Sequence, residues 1–133
     1  MFGYAAGLPA FLAYFAAGMT LLLLFATFYA YATPHKELTL IKQGNQAAVL
    51  AFLGAILGFS MPMASAAANS VSVGDFIIWA ILGGIMQVAA FFIAYATMED
   101  LPKKITDGNI AAGTWTAGIA LTVGLLNAAC MTY

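Results

Sequence analysis

From Met1 to Pro34 the chain carries no charged residue. The run is longer than the ~20 apolar residues that a helix needs to cross a bilayer. A helix that is apolar on every side belongs inside a large core or in lipid. Three more apolar segments follow, at about residues 46–68, 76–97 and 110–131, separated by short polar connections. The whole chain has 133 residues, 64% of them hydrophobic and 7% charged. A soluble domain carries ~25% charged residues, and one this small has too much surface to hide such a deficit. The expectation is an all-α membrane protein of four transmembrane helices in a single integral membrane domain.

The segment boundaries have local causes. The first segment, about residues 8–32, reads as a retained span rather than a cleaved signal peptide, because no basic residue precedes it and its apolar stretch is too long. Pro9 suits a first helical turn, where its missing N–H is not needed. Pro34 ends the segment, since the residue before a proline avoids helical geometry. The polar stretch from His35 to Gly44, with Leu38, Leu40 and Ile41 interleaved, suits a short interfacial helix stopped by Gly44. Asn45 then caps the second span by accepting from its first free N–H groups. Pro62 lies inside that span and should kink it or free a carbonyl. Asn69 to Asp75 is a short connection, with Asp75 expected to cap the third span. Residues 98–108 form a second polar loop, and Asn109 caps the fourth span.

Ile41-Lys42-Gln43-Gly44-Asn45-Gln46-Ala47-Ala48 returns 64 positions later as Ile105-Thr106-Asp107-Gly108-Asn109-Ile110-Ala111-Ala112. At the same offset Ala30-Tyr31-Ala32-Thr33 matches Ala94-Tyr95-Ala96-Thr97, Gly54 matches Gly118 and Leu57 matches Leu121. Alanine matches carry little weight in so alanine-rich a chain, but Gly-Asn, Tyr and Thr in register point to a tandem repeat of a two-helix hairpin, at about residues 1–68 and 69–133. Two spans per unit make it a parallel repeat about an axis normal to the membrane. All four lysines, Lys36, Lys42, Lys103 and Lys104, lie in the first and third loops, and there is no arginine. The positive-inside rule puts those loops in the cytoplasm and both termini outside. Tyr29, Tyr31, Tyr95 and Trp115 then fall near the cytoplasmic ends, and Tyr4, Phe76, Trp79 and Tyr133 near the outer ends, where interfacial aromatics are expected.

Catalytic chemistry has little to stand on. No span contains a charged residue, although proton-coupled pumps usually need an intramembrane carboxylate or histidine. A four-helix multidrug exporter would carry a membrane glutamate. His35, the one histidine, sits at a helix end, away from Ser60, Ser65, Ser70 and Ser72, so a Ser–His pair is not assembled. No catalytic residue, no metal ligand set and no cofactor is assigned, and an enzyme is not expected. Cys130 is the sole cysteine, which leaves neither an internal disulfide nor a thiolate metal site. It reads as an inert thiol, and the seven methionines as packing residues. A net charge of −1 argues against a nucleic-acid partner.

The small and polar residues are more informative. Gly54, Gly58, Pro62, Ser65, Asn69 and Ser72 recur at steps of three or four along the second span. The ordinary role of such a stripe is close helix packing. The functional alternative is a pore or pocket lining in the outer leaflet, joined by Asn127. Gly83, Gly84 and Gln87 line the third span, where Gln87 should hydrogen-bond a neighbouring helix. Gly118, Gly124 and Ala128 are assigned to packing on the fourth.

Thr33-Pro34-His35, Leu40-Ile41-Lys42, Asn45 with Ala47-Ala48, Ser65-Ala66 with Asn69-Ser70-Val71-Ser72 and Asp75, and Asn127-Ala128-Ala129-Cys130-Met131-Thr132 together resemble the YjfL-like family over nearly the whole chain. These are bacterial inner-membrane proteins classed as a domain of unknown function. The resemblance implies four spans in the inner membrane and supplies no catalytic residues. Members often stand beside phage-shock-type or flotillin-like proteins, which implies a cytoplasmic membrane-stress partner. Two functions follow as expectations. One is a membrane interaction scaffold whose lysine loops meet that partner or anionic headgroups. The other is a small homo-oligomeric channel or transporter.

Overall fold

In lipid the backbone must satisfy its own polar groups, so each apolar segment has helix as its only open form short of a closed barrel. The computed structural model describes residues 2–34 and 36–131, with the side chains of residues 2–5 left out. His35, Thr132 and Tyr133 therefore lie outside the described residues, as does the side chain of Tyr4. The element order is α1 (Phe2–Ala32), α2 (Glu37–Lys42), α3 (Gln46–Asn69), α4 (Val73–Thr97), α5 (Leu101–Thr106) and α6 (Ile110–Cys130). Four of these helices, α1, α3, α4 and α6, are long and apolar enough to cross a membrane. The short α2 and α5 lie in the first and third loops, so both belong to the same end of the bundle.

Without water between helices, packing rather than hydrophobic transfer holds spans together. The closest pair is α3 with α6, and glycine makes that approach possible. A methyl carbon added at Gly54 would lie 2.5 Å from Ala117 Cα, and one at Gly113 would lie 2.7 Å from Ala47 Cα. One added at Gly124 would lie 2.7 Å from Gly58 Cα. On α4, Gly83 sits against the Pro62 ring, with 3.2 Å from the added carbon to Pro62 Cβ. α1 is the outlying helix, and most of its large side chains face outward, including Phe11, Phe15, Leu23, Leu24 and Phe28.

Among the described residues two apolar clusters fill the interior. Toward the α2/α5 end, Phe25 stacks on Phe59 at 4.4 Å between ring centroids, and Tyr29 meets Phe91 edge-on at 6.0 Å. Leu40, Leu101 and Ile105 belong to the same cluster and fix the short helices to the bundle. Toward the Ser70 end, Phe76, Ala66, Ala80 and Met131 pack together, with Tyr14 and Trp79 against them. Tyr29 and Phe76 were expected among the interfacial aromatics, but each is buried inside the bundle. Their rings face helix neighbours rather than headgroups. Tyr31, Tyr95 and Trp115 are exposed.

Other differences from expectation are local. α4 begins three residues earlier than the sequence suggested, with Ser72 as its N-cap. The Ser72 hydroxyl accepts from Asp75 N at 3.1 Å, and the Asp75 carboxylate accepts from Val71 N at 3.1 Å. Asp75 thus sits in the first turn, where a carboxylate favours the helix dipole, and braces the connection from inside the helix instead of capping it. Ser72 leaves the α3 stripe for the same reason. α5 was read as part of a polar loop. Asp100 adopts a left-handed conformation (φ 54°) at its N-cap, and Pro102 occupies its first turn. Proline favours the first turn of a helix, and aspartate is among the few residue types that adopt the left-handed region readily.

Candidate functional site

The α2/α5 end gathers the polar residues into a platform. Each short helix ends on a glycine at φ +82°, Gly44 and Gly108. Only glycine adopts that region without strain. The closing hydrogen bonds are the same in both. Gly44 N donates to Ile41 O at 3.0 Å and Asn45 N to Leu40 O at 3.0 Å. Gly108 N donates to Ile105 O at 3.0 Å and Asn109 N to Lys104 O at 2.9 Å. This is the Schellman arrangement, in which the last carbonyls of a helix are satisfied by the chain that leaves it.

The asparagine that closes each short helix opens the next long one. Asn45 Oδ1 accepts from Ala48 N at 3.0 Å, and Asn109 Oδ1 accepts from Ala112 N at 3.2 Å. Asn45 does more. Its Nδ2 donates to the carbonyls of Ile105 and Thr106 at 2.8 and 3.1 Å, which ties the start of α3 to the end of α5. A groove of about 360 Å³ runs between the two loops, lined by Gln43, Asn45, Gln46, Thr106 and Asp107 among others.

The lysines stand at the edge of this platform. Lys42 lies in the last turn of α2, and Lys103 and Lys104 in the last turn of α5. A cation is favoured at that end of a helix. Lys36, Lys42 and Lys103 are exposed and Lys104 is half-buried. A second groove of about 520 Å³ lies between the end of α1 and α2, with Thr33, Lys36, Glu37 and Thr39 in its lining. Glu37 is only 1% exposed, within electrostatic reach of Tyr29. Sequence reasoning missed it, because a lone glutamate next to Lys36 reads as solvated loop. Its place in the first turn of a helix anchored by Leu40 is the signal that could have found it.

The membrane stripe is mostly occupied with holding helices together. Gly54 and Gly58 face α6, and Pro62 is buried against Gly83. Ser65 donates to Ala128 O at 2.9 Å, which joins α3 to α6. Asn127 donates to Gly83 O at 3.3 Å, which joins α6 to α4. Asn69 returns to its own helix, donating to Ser65 O at 2.9 Å. Gln87 is 1% exposed, and among the described residues neither polar atom of its amide has a hydrogen-bond partner. The interhelical bond expected of it is therefore not made. Gly118 was assigned to packing, but among the described residues nothing beyond its own stretch of helix lies within 4 Å of an added methyl carbon. It opens instead into a groove between α4 and α6 beside Trp115 and Thr122. Gly124 does pack, against Gly58. Cys130 is exposed with a free thiol, and among the described residues no three His, Cys, Asp or Glu side chains come together as a metal site.

The family described as "Domain of Unknown Function (DUF350)" matches residues 3–131. The chain belongs to this DUF350 family. It is 42% identical over 126 residues to the UPF0719 inner membrane protein YjfL of Escherichia coli strain K12, covering 95% of this chain and 96% of that one. The protein of the same description from Escherichia coli O157:H7 matches equally, at 42% identity over 126 residues. No solved structure matches. With four helices able to span and relatives described as inner-membrane proteins, this DUF350 chain is a multi-pass inner-membrane protein.

Proposed function

We propose that the chain is a membrane interaction scaffold whose α2/α5 platform meets a cytoplasmic partner of the membrane-stress or flotillin-like kind through its lysines. One observation carries this reading: Asn45, just past the end of α2, grips the end of α5, so the C-terminal ends of the two lysine-bearing helices are tied together. Leu40, Leu101 and Ile105 bury the undersides of those helices. Each lysine near a membrane surface also adds ~1 kcal/mol of attraction to anionic headgroups. The scaffold reading carries with it the cytoplasmic placement of the platform, with both termini outside, which rests on the lysine distribution. It also carries the tandem hairpin origin, which the matching loop geometry at Gly44-Asn45 and Gly108-Asn109 supports.

A small homo-oligomeric channel or transporter is the rival reading. Ser65 and Asn127, two of the residues proposed to line it, spend their donors on neighbouring helices, and this favours the scaffold. The test is charge reversal of Lys36, Lys42, Lys103 and Lys104 together, followed by affinity purification from native membranes. Loss of the cytoplasmic protein that co-purifies with the wild type is expected. Unchanged co-purification would contradict docking through these loops, and solute flux in proteoliposomes that falls when Ser65, Asn69 and Asn127 are replaced by alanine would favour the channel.

A further inference from the structure

One helix face is covered in the first hairpin and bare in the second. On α3, Ala47, Ala51, Gly54, Ala55 and Gly58 are buried. Their counterparts 64 positions later on α6 are Ala111, Trp115, Gly118, Ile119 and Thr122. Ile119 is half-buried and the other four are exposed. The first helix of each hairpin shows the same contrast. Tyr29 of α1 is 1% exposed and meets the Phe91 ring of α4, whereas its counterpart Ile93 is 48% exposed. What covers the first hairpin is the second: Gly54 lies against Ala117, and Gly58 against Ala120. In the second hairpin the same face opens as a groove of about 800 Å³ between α4 and α6, with Ile93, Trp115, Gly118 and Thr122 in its lining. Trp115 Nε1 donates to Thr97 Oγ1 at 2.9 Å, which fixes that ring as a wall of the groove.

The covering face has a bare counterpart too. The α6 residues that seat on α3 are Gly113, Ala117, Ala120 and Gly124. At the matched positions of α3 stand Val49, Leu53, Ile56 and Ser60. Leu53 is exposed and the other three are half-buried. The α3–α6 contact therefore joins two different faces of the repeated helix, and each chain is left with one groove and one covering face to spare. We propose that a second copy of the chain docks in the α4/α6 groove, setting its Leu53 and Ile56 at the level of Gly118. This rests on the hairpin repeat proposed above. A parallel repeat keeps both hairpins in one orientation across the membrane, so a copy placed by the same relation is inserted the same way up as the first. Leu53 and Ile56 are larger than Ala117 and Ala120, and the open groove supplies the width that they need. Packing of complementary shapes is what joins helices in lipid. A contact between unlike faces passes from copy to copy, closing into a ring or running on as a chain.

Thiol cross-linking between two differently tagged full chains, co-expressed in native membranes on a Cys130→Ser background, tests this. One chain carries Leu53→Cys. The other carries Ala111→Cys, Gly118→Cys or Leu125→Cys, three exposed positions two turns apart along α6. A short thiol-to-thiol reagent should give mixed-tag dimers with Gly118→Cys as the strongest partner. Leu53→Cys alone and Gly118→Cys alone should give none. Mixed dimers strongest at Ala111→Cys or Leu125→Cys would put the copies out of the register that the repeat dictates, and would overturn that reading together with the proposal. Absence of mixed dimers at all three positions would leave the groove to lipid, and Gly118→Cys pairing with itself would mean a two-fold dimer. Either result overturns the docking while the repeat reading stands.

Discussion

Asn45 donates to the Ile105 carbonyl at 2.8 Å while its own Oδ1 caps α3. One side chain therefore starts a transmembrane helix and finishes a loop helix that lies 60 positions away in sequence. Asn109 caps α6 in the same manner but is exposed, whereas Asn45 is half-buried. Losing an N-cap costs ~1 kcal/mol. Asn45→Ala also takes the side-chain donor from the end of α5, which adds ~1 kcal/mol. Unfolding in detergent micelles should therefore show Asn45→Ala less stable than Asn109→Ala by about that second amount. Equal losses would mean that the link between the loops contributes nothing.

The α3–α6 contact makes a sharper demand. Gly58→Ala, Gly113→Ala and Gly124→Ala each force a methyl group onto facing backbone, and overpacking of this kind costs ~1–3 kcal/mol. Gly118→Ala meets nothing and gains helix propensity of up to ~1 kcal/mol. Thermal unfolding should separate three destabilised variants from one that is neutral or more stable. A destabilised Gly118→Ala chain would place a neighbour where this fold has open space.

At Gly44 and Gly108 the restriction is the backbone, not the neighbours. Both have φ +82° and open surroundings. An alanine there should cost ~1–2 kcal/mol through the left-handed conformation alone. Asparagine tolerates that region better, so Gly44→Asn and Gly108→Asn should lose less. Matching losses for alanine and asparagine in denaturation curves would show that the turn is not held left-handed.

Most of the architecture was legible in the sequence because lipid simplifies the problem. Uncharged segments of this length have one backbone solution, and Gly44-Asn45 and Gly108-Asn109 name the turn chemistry directly. The helix α5 was hidden because Asp100-Leu101-Pro102 reads as loop until Leu101 and Ile105 are seen buried on one side. Depth along a helix was readable, but rotation around it was not. Tyr29 and Phe76 lie near helix ends, where belts form, yet face inward. Gly118 falls in register with Gly54 but faces outward, since matched sequence positions do not guarantee matched neighbours. The burial of Glu37 and of Gln87 depends on how separate helices pack around them, and no spacing within one segment encodes that.

Every role proposed for the platform requires it to face the cytoplasm. With Cys130→Ser as background, to silence the native exposed thiol, a cysteine placed at Ser70 and another placed at Lys103 are offered an impermeant thiol reagent outside intact spheroplasts. Labelling at Ser70→Cys with none at Lys103→Cys is the predicted result. Labelling at Lys103→Cys with none at Ser70→Cys would put the platform outside and contradict the account.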